Sequence, residues 1–203
     1  MPTKEKWNEY LKNVRRYVAT GKLDKDEINY KLEIGRKLEH ARRAFLAGDT
    51  KWPDLLKRAL SGRYHPIAWR DADYFRKWLS RDQEAAREAL RTIWTHANLR
   101  PGDIRAFSKQ FPPDTGPGGA GTRLRTISVL LMALGPNRYP PYMVTASGKS
   151  LEKLSYADAP AGADEETLYG HAMAFLDELV SRAKEQRLER PANRLEAQSI
   201  VWV

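Results

Sequence analysis

Cysteine is absent from the 203-residue chain, which excludes disulfide bonds and thiolate zinc sites. Long apolar runs are absent too: the longest, Val129–Leu134, has six residues, whereas a helix that crosses a bilayer needs roughly 20. The opening residues Met1–Lys4 lead to Trp7 and charged side chains, not to the apolar stretch of a secretion signal. We therefore expect a soluble, cytoplasmic protein with no membrane partner.

Groups typical of catalytic and metal centres are scarce. The four histidines are scattered along the chain: His40, His65, His96 and His171. None is spaced from another histidine or a carboxylate in a metal-binding pattern, and no serine, histidine and aspartate follow one another as in a hydrolase. The acidic pairs Asp71/Asp73 and Glu165/Glu166 are typical of helix starts, where the helix dipole favours them. The sequence predicts no metal, no cofactor and no enzymatic activity.

Acidic residues are few compared with basic ones. The chain has 35 Lys and Arg against 26 Asp and Glu, a net charge of +9. Residues 1–60 and 61–160 each carry 15 basic and 9 acidic side chains, whereas residues 161–203 carry 5 and 8. A positive field of this kind attracts polyanions, nucleic acid among them. The alternative is a solvated helical surface whose charge serves solubility alone.

Apolar residues recur at three- and four-residue spacings through most of the chain, which predicts α-helices. The fold class is therefore all-α: a compact multi-helix domain that opens with a helical hairpin. Residues 1–60 are expected to form that basic hairpin plus a short helix, packed on a main helical domain of residues 61–203, as one cooperative unit. Three residues are predicted helix N-caps: Asp24, Asp82 and Thr122.

Two stretches rich in Gly and Pro predict irregular loops, residues 112–121 and 135–148. The first loop lacks the Gly-Lys-Ser/Thr of a phosphate loop, since Thr122 and Arg123 follow Gly121. It is either a flexible connector or a cradle for one backbone phosphate. Between the loops, Leu124–Leu134 is nearly all apolar and is predicted to be the most buried helix. Four tryptophans are predicted to belong to the core: Trp69, Trp78, Trp94 and Trp202.

The candidate DNA-binding residues lie on the opening helices and beside the two loops. On the helices they are Arg15, Arg16, Arg36 and Arg43, which recur at helical spacing. Beside the loops they are Arg123, Arg125, Arg138, Tyr139, Tyr142 and Lys149. If exposed, the two tyrosines can stack on bases. If buried, they fix the loop to the preceding helix.

Several segments resemble the N-terminal region of bacterial McrB-like proteins, the motor subunits of modification-dependent restriction systems. The segments that carry the resemblance are Pro117–Leu124, Ser128–Tyr142, Gly162–Glu165 and Leu195–Trp202, with weaker similarity at Tyr30–Glu33 and Asn98–Leu99. The resemblance implies that this region recognises target DNA and precedes an AAA+ GTPase motor, through which the full-length protein self-associates and engages a nuclease subunit. No Walker motif is present here, so we expect an excised N-terminal domain that neither hydrolyses GTP nor cleaves DNA.

Two functions from different classes follow. The first is a DNA-binding specificity module that recognises target DNA, including modified DNA, for restriction. The alternative is a protein-interaction or assembly module of a phage-defence complex. A base-excision enzyme is a weaker third interpretation, because no catalytic Asp or Lys follows a recognisable hairpin. Binding of phosphates falls steeply with salt concentration, which separates the first function from the second.

Overall fold

The computed structural model describes residues 2–62, 66–112 and 119–201, except for the side chains of residues 144–147. This part of the chain contains ten α-helices and no β-strand, which confirms the predicted all-α class. The helices are α1 (Lys4–Ala19), α2 (Asn29–Leu46), α3 (Trp52–Ala59), α4 (Trp69–Arg81), α5 (Gln83–Trp94), α6 (Asp103–Gln110), α7 (Ala120–Leu131), α8 (Val144–Leu154), α9 (Glu165–Glu185) and α10 (Arg194–Ser199). A π-helical turn, Leu23–Ile28, precedes α2, and a 3-10 turn, Met132–Leu134, follows α7.

Helix starts follow local capping chemistry where a suitable side chain precedes the helix. The Asp82 carboxylate accepts a hydrogen bond from the Ala85 N–H, so the predicted cap of α5 is confirmed. The Asp164 carboxylate caps α9 in the same way by accepting from the Thr167 N–H. These bonds satisfy N–H groups that have no partner within the helix.

Two predicted caps and one predicted loop boundary were wrong. Asp24 lies inside the π-helical turn, and its carboxylate accepts two 2.8 Å hydrogen bonds from Arg190 instead. Thr122 lies within the first turn of α7, which begins at Ala120 after Gly119. The irregular stretch expected over residues 135–148 ends at Met143, because α8 begins at Val144. Most of the other predicted loop, residues 113–118, lies outside the described residues.

The two opening helices follow one another as predicted, but each packs against different neighbours. Helix α1 packs on α8, and its Trp7 ring stacks on Phe175 of α9 at 6.2 Å between centroids. Helix α2 packs most closely on α3 and on the 3-10 turn after α7. The apolar stripe of each opening helix is therefore covered by later parts of the chain.

Helix α7 is the centre of the core, as predicted. Leu124 and every residue from Thr126 to Ala133 are buried, whereas Leu134 is only partly so. The Trp94 indole N–H donates a 3.0 Å hydrogen bond to the Leu130 carbonyl at this centre. Trp78 and Trp94 are buried as predicted, but the prediction for Trp69 was wrong, because its side chain is 72% exposed. Trp202 lies outside the described residues.

None of the helices in the described ranges combines the length and the apolar composition that crossing a bilayer requires.

Candidate nucleic-acid interface

The exposed side of α1 carries a group of cations without acidic partners. Trp7, Leu11 and Val14 are buried on one side of this helix, so Arg15 and Arg16 lie on its solvent side. Lys12 lies one turn before Arg16 on the same side and is exposed as well. No carboxylate in the described ranges forms an ion pair with these three side chains. We name Lys12, Arg15 and Arg16 the α1 cation group.

Neighbouring helices hold α1 in place. The Tyr10 hydroxyl lies 3.2 Å from the Ser150 hydroxyl of α8 and donates to the Ile200 carbonyl at the same distance. Near the end of α9, the Gln186 amide donates a 2.6 Å hydrogen bond to the Asn8 side chain. The candidate Lys149 is exposed beside Ser150. The α1 cation group is thus presented by a helix anchored along its length.

The two candidates on α2 differ from each other. Arg43 forms a loose ion pair with Glu39, at 3.9 Å between Nε and Oε1, and both side chains are exposed. Arg36 is exposed and forms no ion pair with a carboxylate of the described chain. It lies on the wall of a cavity between α2 and the segment that follows α7. Arg36 is therefore the α2 cation that remains available to a ligand.

Arg123 and Arg125, at the start of α7, are held in ion pairs within the protein. The Arg123 Nε donates to the Glu165 carboxylate at 2.5 Å, and Glu165 is buried. The Arg125 guanidinium donates to the Asp71 carboxylate at 3.1 Å, and Asp71 is also buried. Two of the four acids interpreted as helix-start residues, Asp71 and Glu165, lie in the first turns of α4 and α9 and are also partners of candidate arginines. Part of the positive charge expected beside the first loop is neutralised inside the protein.

The Arg138–Tyr142 segment is anchored by its tyrosines. Tyr139 is only 9% exposed, and its hydroxyl accepts a 3.2 Å hydrogen bond from the Leu99 N–H. Tyr142 is half-buried, its N–H donates to the Ser128 hydroxyl at 2.7 Å, and burial raises the pKa of its phenol. Of the two interpretations of these tyrosines, the structure shows the anchoring one for Tyr139. Its ring is not available for stacking on a base.

Arg138 itself lines an open hollow of about 620 Å³. The lining also contains Arg194, which donates to the Arg138 carbonyl at 3.2 Å and pairs with Asp177 through two hydrogen bonds at 2.5 and 2.6 Å. Arg138 is exposed, donates to the Asn98 side chain and forms no ion pair in the described ranges. With Asn98 and Asn137 in the lining, the hollow is a polar site in which the Arg138 guanidinium has no acidic partner among the described residues.

Helix α4 presents an aromatic and cationic group that the sequence analysis missed. The Arg70 guanidinium lies 5.3 Å from the centre of the exposed Trp69 ring, within cation–π distance. Tyr74, 37% exposed, follows one turn after Arg70. The sequence signal for this group was the helical spacing of the apolar residues. Ala72, Phe75 and Leu79 define the buried side of α4, and Arg70 and Tyr74 lie opposite it.

Neither a metal centre nor a similar protein adds a further site. Within the described ranges, no three His, Cys, Asp or Glu side chains are grouped so that they could hold a metal ion. Comparisons of the chain with models of protein families, with curated proteins and with solved structures found no match. The features that bear on function are therefore the cations and exposed aromatic rings of the chain itself.

Proposed function

We propose that the chain is a DNA-binding specificity module that binds duplex backbone phosphates through the α1 cation group. The observation that carries the proposal is the contrast between two sets of candidate arginines. Arg15 and Arg16 have no carboxylate partner in the described chain, whereas Arg123 and Arg125 are paired with buried acids. Unpaired, solvated cations contact phosphates without first losing an internal partner.

Backbone contacts position a protein on DNA but do not read its sequence. The hollow around Arg138 offers the groups that recognition requires, since one cation and the amides of Asn98 and Asn137 converge there. Arginine and asparagine pair with purine edges in the major groove. We assign phosphate binding to the α1 cation group and discrimination between sequences or modified bases to this hollow.

The cellular role we propose is the one that the resemblance implies, which is target recognition in a McrB-like modification-dependent restriction system. In that role the module has no catalytic activity of its own. The partners are DNA and, in the full-length protein, a motor domain and a nuclease subunit. No metal or cofactor takes part in the proposed binding.

The test is a titration of fluorescent duplexes, unmodified, methylated and hydroxymethylated, over a series of salt concentrations. Arg15→Ala combined with Arg16→Ala removes two phosphate contacts, so the slope of log K against log salt should flatten by about 1.8. The matched control is Lys77→Ala combined with Arg91→Ala, which removes the same charge from exposed ion pairs on α4 and α5. Absence of duplex binding at low salt, or an equal loss in the control, would refute the proposal.

One observation favours a second function, a protein-interaction module of a phage-defence complex. Trp, Tyr and Arg dominate the binding energy of protein interfaces, and Trp69, Arg70 and Tyr74 are exposed together on α4. Association with a nuclease subunit that persists at high salt and is lost in Trp69→Ala supports this function. A Trp69→Ala variant that keeps the association excludes α4 as the interface.

A further inference from the structure

A second cavity lies between α2 and the segment that follows α7. Its volume is about 760 Å³, within the range of roughly 300–1,000 Å³ that small-molecule sites occupy. Tyr30, Leu32 and Arg36 line the α2 side, and Met132 and Pro136 line the other side. The cavity is therefore large enough for one small organic ligand.

The two cations of this cavity differ from its two acids in their ion pairs. Of the acids, Glu33 pairs with Lys37 at 2.6 Å and Glu39 pairs loosely with Arg43 at 3.9 Å. Lys37 and Arg43 are not part of the lining, so the ion-pair partners of both acids lie outside it. The lining cations, Lys25 and Arg36, form no ion pair with a carboxylate in the described ranges. The ligand that fits this balance carries negative charge.

The remaining lining is suited to a flat ring with polar edges. Leu32 and Pro136 supply apolar surface, and the amides of Asn29 and Asn137 supply donors and acceptors. The Tyr30 phenol, whose ordinary pKa of 10 is raised further by burial, keeps its proton at neutral pH and can donate it in a hydrogen bond. A purely apolar ligand would leave these polar groups without partners. A compact inorganic anion would leave the apolar surface uncovered.

The walls of the cavity are fixed before any ligand binds. Gly35 lets α2 approach Pro136 so closely that a Cβ atom there would lie 2.8 Å from the Pro136 ring. On the core side of α2, the Lys31 ammonium donates to Glu27 and to Ser199, each at 3.0 Å. Ligand binding at this site requires no large rearrangement of α2, which favours affinity.

We propose that this cavity binds a nucleoside phosphate. The phosphate lies against Arg36 and Lys25, the ring lies on Leu32 and Pro136, and Asn29 and Asn137 contact its polar edge. The ligand is either a free nucleotide or one nucleotide unit of a single strand, since both present the same chemistry. This inference does not depend on duplex binding by the α1 cation group.

The experiment is isothermal titration calorimetry of the full chain without duplex DNA. The probes are AMP, GMP, ATP, GTP, a five-nucleotide single strand and inorganic pyrophosphate. A charge-assisted hydrogen bond to phosphate is lost in Arg36→Ala, so affinity should fall at least about tenfold. The matched control is Arg91→Ala on α5, an exposed arginine outside the lining that pairs with Glu88, for which affinity should change less than about twofold.

Asn29→Asp is the second variant, because it keeps the side-chain size while adding a repelling charge beside the phosphate. Nucleotide binding that is weakened by both Arg36→Ala and Asn29→Asp supports the proposal, and the mononucleotides and the single strand then show which source supplies the unit. Three results would overturn it: no binding at millimolar nucleotide, an equal loss in Arg91→Ala, or pyrophosphate binding as tightly as any nucleotide. Arg15→Ala/Arg16→Ala should leave nucleotide affinity unchanged. Failure of duplex binding by the α1 cation group and failure of nucleotide binding in this cavity are therefore distinguishable.

Discussion

Replacing Glu27 by Gln tests the buried ion pair between the π-helical turn and α2. The Lys31 side chain is only 2% exposed, and its ammonium has two described hydrogen-bond partners, the Glu27 carboxylate and the Ser199 hydroxyl of α10. Burial lowers the pKa of Lys31 and raises that of Glu27, against the attraction between the two charges. The surroundings of the pair therefore disfavour both charges.

Two estimates limit how much Glu27→Gln lowers the free energy of unfolding. Removing one partner of a buried pair costs about 3–5 kcal/mol, because the other charge is left uncompensated. Lys31 can instead release its proton, and neutralising an ammonium of ordinary pKa 10.5 at pH 7 costs about 5 kcal/mol. Glu27 retains some solvent contact, with 12% of its side chain exposed. We therefore expect Glu27→Gln to destabilise the protein by about 3 kcal/mol.

The assay is urea denaturation followed by circular dichroism and tryptophan fluorescence. The matched control is Glu33→Gln, which breaks the Glu33–Lys37 pair of the same helix, with the same residue types and the same spacing. Those side chains are 53% and 56% exposed, so we expect little measurable change in the control.

The double variant Glu27→Leu/Lys31→Met separates the cost of a lone charge from the value of the pair. Replacing a buried pair by apolar side chains of similar volume is often neutral or stabilising, by about 1–4 kcal/mol. We expect the double variant to be at least as stable as the native protein. A double variant as unstable as Glu27→Gln would refute the reasoning, since it would show that the pair stabilises the fold.

Three further predictions concern stability. Gly35→Ala should destabilise by about 1–3 kcal/mol, because its Cβ would lie 2.8 Å from the rigid Pro136 ring, whereas Gly170→Ala in open space should stabilise by about 0.5–1 kcal/mol. Thermal melts of both variants check the contrast, and an equal response contradicts it. Burial raises the pKa of Tyr10 from 10 to about 12. The contribution of this phenol to the free energy of unfolding is therefore fully present below pH 10 and is lost as the pH rises to 12. In an alkaline titration, the stability of Tyr10→Phe should fall less steeply over this range than that of the native protein. Asp82→Ala should cost about 1 kcal/mol in urea, and an unchanged midpoint would mean that this cap contributes nothing.

Local chemistry made much of the fold predictable. Apolar spacing fixed the helical class, and the aspartate before α5 marked its start, because periodicity and capping act within a few residues. Where a side chain had both a local and a distant partner, prediction failed. Asp24 was predicted to cap α2, but it binds Arg190, which lies 166 residues further along the chain.

The sequence by itself determined the excess of positive charge, the absence of thiol chemistry and the helical class. Only the tertiary structure decided which cations are available to a ligand. Arg123 and Glu165 are 42 residues apart, and they meet because α7 packs on α9. The cavity beside Arg36 likewise lies where α2 meets Pro136, so closely that a Cβ atom on Gly35 would lie 2.8 Å from the proline ring. Ion pairing and cavity walls depend on distances of a few ångströms between segments far apart in the chain, which helical periodicity does not encode.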